Sequence, residues 1–126
     1  MKLRLRGDSL RLRLTRGEVQ QLAQSGSVEE RVHITPSGVL VYRLKRVKSA
    51  TTLGASFVNG EVEIQVPESM AREWCASELV TLAHVQPHGE VQLHIVVEKD
   101  YACLAPREDE DESDNFRHPM DRSKRC

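Results

Sequence analysis

Leucine and charge alternate from the first residues of the chain. Leu3 and Leu5 alternate with Lys2, Arg4 and Arg6 on a two-residue period, and after a bend Leu10, Leu12 and Leu14 alternate with Arg11 and Arg13. That period sends successive side chains to opposite faces of a strand. Residues 2–6 and 10–14 are therefore predicted as half-buried strands whose solvent side is a band of guanidinium groups. Gly7-Asp8-Ser9 supplies the bend between them. Thr15-Arg16-Gly17-Glu18 then forms a capping-box pattern, and Val19, Leu22 and Ala23 follow at helical spacing until Ser25-Gly26. Strands over 28–35 and 39–47 close this half, joined through Pro36-Ser37-Gly38.

The second half repeats the order of signals. Asn59-Gly60 lies between residues 55–58 and 61–66, a two-residue hairpin signal because both turn residues tolerate positive φ. Pro67 at the first helical position, with Glu68 beside it, opens a second short helix. Met70, Ala71, Trp74 and Cys75 are its apolar face, with Trp74 predicted as the largest buried side chain. Residues 79–85 and 91–98 form a hairpin across Pro87-His88-Gly89. Its last strand is the most apolar of the chain and is predicted to be central.

The two halves align residue by residue. At an offset of 52, Leu10, Leu12 and Leu14 fall on Val62, Ile64 and Val66, and Val19, Leu22 and Ala23 fall on Ala71, Trp74 and Cys75. At an offset of 51, Pro36 and Gly38 fall on Pro87 and Gly89, and Leu40, Tyr42 and Leu44 on Val91, Leu93 and Ile95. A duplicated architecture follows, with a pseudo-twofold axis relating residues 10–46 to 62–97. One β-rich α+β domain is expected over residues 1–105. It holds two tandem β-α-β-β repeats (1–47 and 55–101), which form a single barrel-like antiparallel sheet with two short helices.

Asn59-Gly60 followed by VEIQVP and a short helix resembles the swapped-hairpin unit of AbrB/MazE-type transition-state regulators and antitoxins. Gly7-Asp8-Ser9-Leu10 followed by RLRL is similar to the Gly-Asn-Ser opening of the MazE branch. Such units normally come from two interlocking chains, so this chain would be a pseudo-dimer in one polypeptide, a monomer or a weak homodimer. The whole chain, with EKDYACL running into an acidic tail, also resembles a family of small bacterial proteins with no assigned activity. In MazE-type units the early strand region supplies the DNA contacts. The resemblance therefore implies a nucleic-acid-binding role for Arg4, Arg6, Arg11 and Arg13. Two departures stand beside it. Asp8 occupies the position of that family's Asn, and the second copy has Asn59, Glu61 and Glu63 where the first has arginines.

Composition sharpens this picture. The 126 residues carry a net charge of −1, which conceals a split. Residues 1–50 are net +7 and residues 51–126 are net −8, an asymmetry that points to charged partners or to one half neutralising the other. Arginines two residues apart on one strand face match what neutralising successive backbone phosphates requires. Solvating the outside of a sheet is the plainer explanation of the same band. Residues 108–112 are five consecutive acids, and residues 106–126 are expected to be a flexible acidic tail that folds back over Arg4, Arg6, Arg11 and Arg13 and competes with phosphate.

No stretch declares a reaction. The five histidines lie singly, the three cysteines (Cys75, Cys103 and Cys126) form no paired motif, and there is no phosphate loop or nucleophile motif. Cys103 with Asp109, Asp111, Asp114 and His118 is a poor cation set, lacking spaced oxygen ligands. No apolar run approaches a membrane span, and MKLRLRGD has no signal-peptide core, so a cytoplasmic chain is expected. The expected function is non-enzymatic binding of nucleic acid, DNA in the first instance, with no cofactor and no metal. The alternative is a protein–protein interaction or antitoxin-like adaptor that uses the acidic tail.

Overall fold

The computed structural model describes residues 1–101, 114 and 116; the expected acidic tail lies almost wholly outside them. The elements in chain order are β1 (Lys2–Arg6), β2 (Ser9–Leu14), α1 (Arg16–Ser25), β3 (Ser27–His33) and β4 (Val39–Val47). They continue as β5 (Gly54–Val58), β6 (Glu61–Pro67), α2 (Glu68–Ala76), β7 (Thr81–His88) and β8 (Val91–Lys99). Each half is thus β-β-α-β-β rather than β-α-β-β, because β1 and β5 pair as full strands with β2 and β6.

Local chemistry sets the helix ends. The Thr15 hydroxyl accepts from the Glu18 amide while the Glu18 carboxylate accepts from the Thr15 amide, completing the capping box. Gly26 ends α1 at φ 86°, and its amide bonds the Leu22 carbonyl. Pro67 is the residue preceding α2 rather than its first turn.

The strands form two four-stranded sheets, ordered β1-β2-β8-β7 and β3-β4-β6-β5. This corrects the expected single antiparallel sheet. Each sheet takes one hairpin from each half, and the two inner pairs, β2–β8 and β4–β6, are parallel. The cause is directional. β2 and β8 both run away from their own hairpin turns, so exchanging hairpins between halves lays them side by side in the same sense. The Asp8 carbonyl accepts from the His94 amide at one end, and the Leu14 carbonyl accepts from the Asp100 amide at the other.

No closed barrel is found among the described residues, because the sheets meet at their edges through side chains. On one side the Gln86 amide mimics a peptide group. Its Oε1 accepts from Ala55 N (2.8 Å) and its Nε2 donates to Ala55 O (3.1 Å), tying β7 to β5. On the other side Tyr42 donates to the Met1 carbonyl (2.8 Å), and the Met1 amine bonds Glu18 and Glu30. Burial opposes the charge on that amine, but the two carboxylates outweigh it and raise its pKa.

One core lies between the sheets and under the helices. Leu10, Leu12, Leu14, Leu82, Ile95 and Val97 come from one sheet, and Val28, Leu44, Ile64 and Val66 from the other. Val19 and Leu22 of α1, Ala71 and Trp74 of α2, and Met1 and Leu53 from outside the regular elements complete it. Trp74 is the largest fully buried side chain. Its indole N–H donates to the Val80 carbonyl at 2.9 Å.

The halves are equivalent in pairing. Leu12 sits between Leu3 and Val97, and Ile64, 52 residues on, sits between Ala55 and Leu44. For the second hairpins the structural shift is 53 rather than the expected 51. Leu10 opposes Ile95 where Val62 opposes Tyr42, and the Arg46 amide bonds Gly26 O where the Lys99 amide bonds Val80 O. The two halves accommodate this with connections of different length. Four residues, 77–80, separate α2 from β7, whereas Gly26 alone separates α1 from β3. The turns also differ: residues 34–38 join β3 to β4, but Gly89-Glu90 alone joins β7 to β8. Pro87 is therefore not in a turn. It lies in β7 opposite Gln92, on an edge strand where its missing N–H is tolerated.

Candidate nucleic-acid interface

The outer face of the β1-β2-β8-β7 sheet carries the predicted band. Register places Lys2 opposite Arg13, Arg4 opposite Arg11 and Arg6 opposite Ser9. All four predicted arginines therefore share one face; on the other, Leu3, Leu10, Leu12 and Leu14 pack into the core while Leu5 stays exposed near the hairpin tip. Lys2, Arg4 and Arg6 are exposed, while Arg11 and Arg13 are half-buried.

What the alternation does not reveal is Glu98. It opposes Arg13 across the parallel β2–β8 pair and is only 7% exposed. Its Oε1 accepts from Arg13 Nε at 2.5 Å and from Arg11 Nη1 at 3.2 Å. One carboxylate oxygen thus clamps two guanidinium groups and fixes their directions. Lys2 pairs with Asp100 at 3.2 Å, and Arg4 also has an interaction within the chain. The five cations of the band are therefore partly answered internally, with Glu98 and Asp100 as their counter-charges. The expected overlay of the band by residues 106–126 lies outside the described residues.

The other sheet inverts this arrangement. Its outer face centres on Arg43, which donates to Glu29 (2.8 and 3.0 Å), Glu61 (2.8 Å) and Glu63 (3.2 Å). These bonds raise the pKa of Arg43 further above its ordinary value, Glu61 first, with burial opposing them. By the repeat, Glu63 stands where Arg11 stands in the first half. The second face is thus closed on itself.

That closure sets an acid limb. Arg43 hydrogen bonds hold Glu29 below the usual carboxylate range against an opposing desolvation cost. Gln65 and then Arg43 do the same for Glu63, again against burial. A carboxylate with a lowered folded pKa stabilises the protein above its unfolded value, near 4.3, and the contribution is lost as pH falls through the folded value. The thermal midpoint is therefore expected to fall as pH drops from about 5 to about 3. Glu63→Gln is expected to shrink that fall, as read from thermal unfolding at stepped pH. An identical fall in both proteins would show that Glu63 contributes nothing to it.

The remaining candidates stay apart. His84 opposes Ile95 and His94 opposes Val85, so the two histidines lie on opposite phases of their hairpin. The register differs from one built on a Pro87-His88 turn, but the separation is the same. Among the described residues no three His, Cys, Asp or Glu side chains gather as a metal site. Cys75 packs against the core with its Sγ 3.6 Å from the Val19 carbonyl, and burial pushes its thiol pKa up. No helix among the described residues is long and apolar enough to cross a membrane.

Fold and face together define a β-rich α+β domain whose two halves exchange hairpins and which presents one basic sheet face. The chain belongs to the family described as "Family of unknown function (DUF7009)", whose model matches residues 1–120. No curated protein and no solved structure matches it.

Proposed function

We propose that the protein is a non-enzymatic binding module that takes nucleic acid, DNA in the first instance, on the outer face of the β1-β2-β8-β7 sheet. Arg4, Arg6, Arg11 and Arg13 would meet the phosphates. The observation that carries this is the register: Lys2 faces Arg13 and Arg4 faces Arg11 directly across the β1–β2 pair. Like charges opposed in a sheet are destabilising. Glu98 and Asp100 answer part of that repulsion within the chain, and a bound polyanion would answer the remainder. The exchange of hairpins between halves supports a further proposal, that each half is an AbrB/MazE-type swapped-hairpin unit and the chain a single-polypeptide pseudo-dimer. The inverted charge of the second sheet favours one DNA-facing surface rather than a symmetric pair.

The test is a salt titration of binding to a duplex of unrelated sequence. Five cations limit the logarithmic salt slope to about −4.5. Arg4→Ala with Arg6→Ala, both exposed, is expected to reduce the slope by about one for each phosphate that is no longer neutralised. A chain ending at Ala105 is expected to bind more tightly than the full chain at low salt, if the acidic residues compete with phosphate. No binding by either chain would overturn the proposal.

The second reading, a protein–protein adaptor, is favoured by apolar side chains at the hairpin tips. Leu5 is 62% exposed and Phe57, its equivalent in the second half, is 69% exposed. Failure to bind DNA together with concentration-dependent self-association would select that reading.

A further inference from the structure

A groove of about 670 Å³ runs beside α1, where β2 and β8 end. It is the largest of the cavities described, the others being about 240 and 210 Å³, and it falls within the range of small-molecule sites, about 300–1,000 Å³. Leu14, Val19, Ala23 and Cys75 form its floor, and Arg16 and Lys99 contribute to its rim. We propose that this groove binds an amphipathic organic anion, with its apolar body on that floor and its carboxylate or sulfonate head at Arg16.

Charge on the rim selects the ligand class. Arg16 is the first residue of α1, is exposed, and its side chain makes no hydrogen bond or ion pair among the described residues. It projects from the helix end whose free amides carry positive partial charge. Lys99 contributes mainly its aliphatic stem. Its amine donates to the Ser77 carbonyl at 2.7 Å and lies 5.5 Å from the Trp74 ring centre. Asp100, the one anion lining the groove, pairs with Lys2 at 3.2 Å. The floor offers methyl groups and the half-buried Cys75 thiol, whose pKa burial pushes up. A purely apolar ligand would leave Arg16 unanswered, and a small inorganic anion would leave the floor uncovered. The groove shares no arginine with the proposed nucleic-acid face, so the two stand or fall separately.

The test uses the full chain with 8-anilinonaphthalene-1-sulfonate as the fluorescent probe, displaced by decanoate or by its neutral counterpart decanol. Saturable one-to-one binding is expected. Decanoate is expected to displace the probe about tenfold better than decanol, the effect of one charge-assisted hydrogen bond. Arg16→Glu should remove that preference. Ala23→Phe fills the floor from an exposed helix position and should weaken probe binding by about tenfold or more, whereas Gln24→Phe, which does not line the groove, should not. Circular dichroism checks that each variant is folded. Non-saturable binding, equal displacement by decanol and decanoate, or unchanged affinity in Ala23→Phe would each overturn the proposal.

Discussion

Trp74→Ala is expected to lower folding stability by about 3–5 kcal/mol, the cost of emptying the largest buried position of a small core. The indole is fully buried among both helices and both sheets. Its volume therefore cannot be refilled by the movement of one neighbour. Trp74→Phe is expected to lose less, since most of the ring volume remains. The Val80 carbonyl that loses the indole N–H belongs to an exposed residue, and water can take the vacant place. Urea unfolding of the three proteins separates the effect of packing from that of the hydrogen bond. An unfolding midpoint unmoved by Trp74→Ala would mean that α2 presents a different face to the core.

Leu12→Ala and Ile64→Ala are each expected to cost about 2–5 kcal/mol, and by similar amounts. Both side chains are fully buried. Each sits on the second strand of its half, paired on one side to its own hairpin partner and on the other to the hairpin of the opposite half. Removing either leaves a cavity in a sheet shared by both halves. A cost below about 1 kcal/mol at one site and a full cost at the other would show that the two halves are not equivalent in energy, whatever their pairing.

Much of the fold was legible in local pattern. Leucine alternation located β1 and β2, the Thr15–Glu18 pattern located the start of α1, and Asn59-Gly60 located the β5–β6 turn, where Asn59 has φ 51°. The 52-residue repeat correctly matched Leu12 with Ile64 and Leu22 with Trp74. It failed at the second hairpins because a shared Pro-x-Gly triplet suggested a turn at Pro87. In the folded chain strand pairing extends past Pro87 to His88 and Val91, and pairing decides register. The predicted antiparallel sheet failed for a different reason. Whether β8 lies beside β2 of the first half or beside β6 of its own half depends on which half supplies the partner, and no residue spacing records that choice. The same gap hid Glu98. Its alternation marks it as outward-facing, but only the parallel β2–β8 pair places it between Arg11 and Arg13. Arg43 with Glu29, Glu61 and Glu63 was hidden likewise, being drawn from three strands of both halves.

The exchange of hairpins also governs the order in which the molecule can be assembled. Arg13 and its partner Glu98 are 85 residues apart. At a synthesis rate of about 5–20 residues per second, β2 would leave the ribosome roughly 4–17 seconds before the strand that completes its sheet. Through that interval the inner faces of β1 and β2, with Leu3, Leu10, Leu12 and Leu14, have no β8 to lie against. Pairings this distant close late and slow the folding rate, since the entropy of closing the loop is given up before the strands meet. The first half of the chain is in this sense a template held open, and the residue that fixes its arginines is among the last of the folded domain to be made.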